Sequence, residues 1–225
     1  MSNSVFSELI GLSAGALLLT SVLTVWHRSQ RASIRALAVQ GFALAALVAV
    51  VAVDRKDVEL VPVFLLVLAL KGLVLPWVLA RRPGVVGTER VRIDIEDESP
   101  LLNPVATLVA AALLGMVAYA VTWPLVASSP SAAAHAAPVG VAMVLIGFLV
   151  LVTRRRAISQ LVGFLALDNG IATVAFLISG GVPILLEFGA SLDVLLVTLI
   201  LQVFSRQMRA TFGDTDVGRM RELRD

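Results

Sequence analysis

Runs of roughly twenty apolar residues dominate this 225-residue chain, and a run of that length crosses about 30 Å of hydrocarbon as a helix. Inside lipid each backbone N–H and C=O has to be paired within the chain, and a helix does so within a single segment. The runs fall at about 5–26, 34–53, 60–80, 101–126, 137–153, 157–178 and 182–204. The expected fold is an all-α integral membrane protein of seven transmembrane helices. Composition agrees: 58% of residues are hydrophobic and 15% charged, against about 25% charged in a soluble domain.

Charged or Gly/Pro-rich segments separate the runs, at His27–Ser33, Asp54–Glu59, Arg81–Pro100, Ala127–Ala136, Arg154–Arg156 and Ser179–Gly181. Pro138 suits the first turn of the fifth span. The chain thus divides into a four-helix region over 1–126, a three-helix region over 137–204 and a tail over 205–225. The stretch 81–100 is the one long polar connection, and Val91–Glu98 within it alternates weakly like a strand. It reads as a solvated linker or as a contact for a partner subunit.

Arginine placement sets the expected orientation. Arg28, Arg31, Arg35, Arg81, Arg82, Arg90, Arg92 and Arg154–Arg156 fall on one side, with Arg206, Arg209, Arg219, Arg221 and Arg224 of the tail. Only Arg55 and Lys56 fall on the other, and Lys71 lies within a span. The positive-inside rule then puts the N-terminus outside and the C-terminus in the cytoplasm. Trp26, Trp77 and Trp123 near span ends fit an aromatic belt. The N-terminal stretch Met1–Glu8 has no basic residue, so the first run reads as a permanent helix and not as a cleaved signal peptide.

The same placement explains a pI of 9.7 without nucleic acid as a partner. The chain has no cysteine, which excludes thiolate-ligated clusters and disulfides. Its two histidines are His27, in a turn, and His135, in an Ala-rich outer loop. No pair is placed to clamp a haem, so no cofactor and no redox or hydrolytic site is expected in this chain.

Three ionisable residues fall near the middle of spans: Lys71, Asp168 and Asp193. Each lies eleven residues past a span start, about 16 Å deep at 1.5 Å per residue. A charge at the bilayer centre costs at least ~2.5–3.5 kcal/mol and marks a functional site by default. One reading is a proton or cation relay. Burial opposes the charged form of a carboxyl and a nearby ammonium favours it, so a group balanced between the two can pass a proton. The other reading is mutual neutralisation that fixes packing. Glu187 lies shallower, about 8 Å from the outer face, either as an access group for the relay or as an interfacial residue.

Neutral groups support the same level. Gln40, Asn169 and Thr198 are polar residues within spans, suited to hydrogen bonds between helices or to holding relay water. Pro76 follows Lys71 by five residues and frees a backbone carbonyl, as a packing kink or as a break that lets water reach the ammonium. Gly163 and Gly170 permit close helix approach.

The stretch TRRRAISQLVGFLALDNGIA at Thr153–Ala172, with LLEFGASLDVLLVTLILQVF at Leu185–Phe204, resembles hydrogenase-4 component E, a membrane subunit of nickel–iron hydrogenase complexes such as formate hydrogenlyase. SPLLNP at Ser99–Pro104 and KGLVLPW at Lys71–Trp77 look like that family too. The last three spans are also similar to the K subunit of complex I and the C subunit of Mrp cation antiporters, which carry an Arg-rich loop and two membrane carboxylates. The carboxylates here would be Asp168 and Asp193. Alignment on the arginines places the complex I glutamate at Leu165, about 4.5 Å and one turn from Asp168.

The resemblance implies a multi-pass protein of a prokaryotic cell membrane. Its partners would be antiporter-like and hydrogenase or other redox-module subunits, it would move H⁺ or Na⁺, and the redox catalyst would reside in those partners. A free-standing secondary transporter and a structural scaffold of a membrane complex are the alternatives.

Overall fold

The computed structural model describes residues 2–27, 29–80, 103–128, 131–155, 157–179, 190–192, 194–195 and 197–199. Six helices in it are long and apolar enough to cross a membrane, and the chain is a multi-pass membrane protein. They are α1 (Asn3–Trp26), α2 (Gln30–Arg55), α3 (Leu60–Ala80), α4 (Pro104–Ser128), α5 (Ala132–Thr153) and α6 (Ala157–Ser179). The expected seventh span at 182–204, the polar connection 81–100 and the tail 205–225 lie wholly or mostly outside the described residues.

Helix ends depart from expectation where capping extends them. Ser29 accepts a hydrogen bond from the Ala32 N–H at 3.3 Å, so α2 starts at Gln30 and the turn before it is short. Its far end stops at Lys56, whose φ of 54° is left-handed and cannot propagate a right-handed helix. Ser131 accepts from the Ala134 N–H at 3.1 Å and starts α5 at Ala132, five residues before the expected boundary. Two expectations are corrected by that cap. His135 lies in the first turn of α5, not in a loop, and Pro138 lies inside the helix, not in its first turn. Alanine runs leave the boundary to the cap, because Ala is the best helix former and suits either reading of a loop-like composition.

α3 is not uniform. Leu68–Val74 is π-helical, and the Leu75 N–H donates to the Leu70 carbonyl five residues back. Pro76 has no N–H and its ring crowds the preceding turn; the widened π segment lies directly before it and contains Lys71.

α2 is central, packed against α1, α3 and α6. Leu17, Leu44, Val48, Val63, Met143 and Phe176, all buried, join five helices in one core cluster. The closest packing is between α5 and α6, and glycine permits it. A Cβ added at Gly147 would lie 2.5 Å from the Leu167 nitrogen, and one at Gly163 would lie 2.7 Å from the Leu151 nitrogen. Gly140 and Gly170 oppose each other in the same way, at 3.2 Å and 3.0 Å from each other's carbonyl oxygens. Small residues that let backbones meet are how helices associate in lipid. α4 lies at the edge, against α5 and more lightly against α1.

Candidate functional site

α3 and α6 bring Lys71 and Asp168 into direct contact. Lys71 Nζ donates to Asp168 Oδ2 at 2.8 Å, with the lysine side chain 2% exposed and the aspartate 17%. They meet because the eleventh residue past the start of each helix falls at the same depth, whichever way the two run. Gly41 of α2 sets the lysine's backbone. An added Cβ there would collide with the Lys71 carbonyl and lie 2.7 Å from the Gly72 nitrogen. Glycine at 41 is therefore what lets α2 pass the π segment.

Beside the ion pair runs a neutral chain of hydrogen bonds. Asn169 Nδ2 donates to Gln40 Oε1 at 3.1 Å, Gln40 Nε2 donates to Ser21 Oγ at 2.7 Å, and Ser21 Oγ donates to the Leu17 carbonyl at 2.9 Å. All three side chains are buried. The chain ties α6 to α2 and α2 to α1. Thr24 and Thr122 instead donate to the carbonyl four residues back, a short reach that satisfies a Ser or Thr within its own helix. Amides are longer and carry two donors and an acceptor, so Gln40 and Asn169 need partners on other helices.

Thr198 behaves like the other hydroxyls. It donates to the Val194 carbonyl at 2.8 Å and does not bridge helices by that bond. Asp193 and Glu187 lie outside the described residues. Leu165 is buried in an apolar cluster with Leu37, Leu75 and Leu161, one turn from the residue that meets Lys71. Pro76 is buried two residues past the π segment.

A second polar site was not legible as one. Arg154 is buried at the start of the Arg-rich turn, and its Nη2 donates to the Val25 carbonyl at 3.0 Å and the His27 carbonyl at 2.8 Å. It thereby satisfies backbone acceptors left at the C-terminus of α1, where positive charge is also favoured. Counting arginines by side of the membrane gives no hint of this, since it treats all three alike.

Chemically, the arrangement holds an ion pair between a buried Lys71 of α3 and a part-buried Asp168 of α6, with a glycine contact at the lysine's backbone and an amide chain beginning at Asn169. No family model matches the chain, and no solved structure matches it. The uncharacterized protein Rv0085 of Mycobacterium tuberculosis is 45% identical over 225 residues, the whole of both chains. Hydrogenase-4 component E of Escherichia coli K12 is a distant homologue, 22% identical over 222 residues, covering 97% of this chain and 98% of that protein. The same match is found in Shigella flexneri. The chain belongs to the family of Rv0085.

Proposed function

We propose that this member of the Rv0085 family is a non-redox membrane subunit of a hydrogenase-4-like or complex I-like assembly, in which Lys71 and Asp168 belong to a path for protons or cations. The single observation behind the reading is the 2.8 Å contact between the buried Lys71 and the part-buried Asp168. The whole-length homology to hydrogenase-4 component E supports the kind of complex. Asp193 and Glu187 continue the path toward the outer face, with the N-terminus outside and the C-terminus cytoplasmic. The last three spans act as the K-subunit-like part, and the redox catalyst lies in partner subunits.

The mechanism follows from the pair. A proton arriving at Asp168 neutralises the carboxylate and releases Lys71 from its partner; departure of that proton restores the attraction. Ion arrival is thereby linked to the strength of one contact between α3 and α6. Asn169, Gln40 and Ser21 hold the carboxylate's neighbourhood without titrating, since amides and hydroxyls keep their protons at working pH.

The burial of Lys71 also favours a competing reading, a permanent ion pair that only fixes packing. The two separate in proteoliposomes of the whole complex, by ion movement per redox turnover. Asp168→Asn keeps shape and hydrogen bonding and removes the titrating group. The relay reading expects intact assembly with lowered ion movement per turnover. Unchanged coupling in a fully assembled Asp168→Asn complex would leave only the packing account.

A further inference from the structure

Between α1, α4 and α5 runs a groove of about 550 Å³, within the size range of ligand sites. Leu18 and Val22 of α1, Leu108, Gly115 and Tyr119 of α4 and Ile146 of α5 line it. The lining is apolar, and no member of the Lys71–Asp168 site or its amide chain reaches it. From Leu108 to Ala120 it follows α4 for twelve residues, about 18 Å at helical rise. That is a little over half of a ~30 Å hydrocarbon core, close to the depth of one leaflet. Its Leu108 end adjoins Thr107, which lines a small cavity with Trp26 and Arg154, and the exposed Arg155 follows Arg154 in the chain.

We propose that this groove binds one acyl chain of an anionic phospholipid from the leaflet on the arginine side. Three observations select that occupant. The wall is almost wholly apolar, the length is close to one leaflet, and the exposed Arg155 follows the buried Arg154 on the side of the Leu108 end. Basic residues beside grooves between transmembrane helices attract anionic head groups. Gly115 and the small residues around it keep the floor open: a Cβ at Gly115 would meet nothing within 4 Å. The site is independent of the ion pair, and neither reading depends on the other.

The test uses the full chain in its own membranes, supplied with phosphatidylglycerol or phosphatidylcholine carrying the same photoreactive acyl chain. Adducts are mapped to peptides by mass spectrometry. The proposal expects adducts concentrated on Leu108–Tyr119, severalfold stronger with phosphatidylglycerol. Gly115→Leu projects a side chain into the groove from a position where the Cβ has space and should abolish most of that labelling. Gly11→Leu, made where a Cβ also meets nothing within 4 Å but away from the groove, should leave it unchanged. Arg155→Gln should reduce the preference for phosphatidylglycerol. Equal labelling by the two lipids would overturn the proposal in favour of unselective contact. Absence of α4 adducts, with cross-links to another chain instead, would overturn it in favour of a partner helix in the groove.

Discussion

α4 and α6 are similarly long and similarly apolar, yet α6 has 61% of its most apolar window buried and α4 only 22%. Apolar character therefore says that a helix enters lipid and not what it touches there. The difference lies in what interrupts the apolar residues. α6 carries Gly163 and Gly170 against α5, Asp168 against Lys71 and Asn169 against Gln40. α4 has Gly115 with open space around it, and its buried Thr107 and Thr122 bond to their own helix. In lipid there is no hydrophobic drive between helices, so close backbone approach and polar contacts decide which helices pack.

The largest effect that could break this comparison is Gly147→Leu in α5. Its Cβ would sit 2.5 Å from the Leu167 backbone nitrogen, and backbone has no rotamer with which to yield. The expected loss exceeds the ~1–3 kcal/mol of ordinary overpacking and removes the protein from the membrane fraction, measured by immunoblot against Gly115→Leu. Equal amounts of the two variants would show that the glycine seam does not govern packing.

Next is the ion pair. Lys71→Met leaves Asp168 without its ammonium; removal of one partner of a fully buried pair costs about 3–5 kcal/mol, and the 17% exposure of Asp168 places this loss toward the lower end. Thermal inactivation of the extracted complex should show a large drop that Lys71→Met combined with Asp168→Leu largely recovers. A double variant no more stable than the single would mean that the loss comes from packing around the lysine stem.

A smaller effect is expected at the amide chain. Asn169→Ala removes the 3.1 Å bond to Gln40; interhelical hydrogen bonds in membrane proteins average ~0.6 kcal/mol and reach ~1.7. The same thermal assay should place it between Lys71→Met and the native protein. The smallest is Val121→Ala on α4. The side chain is 69% exposed, and a change there should stay within about 0.5 kcal/mol. A drop as large as that of Asn169→Ala would show that the outer face of α4 is covered by another chain.

The six described helices were legible in the sequence for a simple reason, and so was the shared depth of Lys71 and Asp168, though their contact depends on how α3 and α6 pack. Period and length read directly from apolar runs, and equal depth predicts that Lys71 and Asp168 share a level. Ser21 was not legible, because a hydroxyl in a helix ordinarily serves its own backbone and only the reach of Gln40 makes this one a partner. Gly140 and Gly147 carried a usable signal, the same seven-residue spacing as Gly163 and Gly170. Gly41 carried none, since its need arises from where α3 places the Lys71 carbonyl. Ser131 went unread as a cap because alanine on both sides of it suits helix and loop composition alike.

The glycine seam has a mechanical consequence. With backbone against backbone at two levels, α5 and α6 cannot slide or roll past each other without collision, so they move as one stiff plank. Lys71 belongs to a different body, a helix whose π segment has a wider and less regular turn than the α-helix on either side. Any displacement that stretches the Lys71–Asp168 contact is therefore borne by α3, while the aspartate stays anchored to the plank.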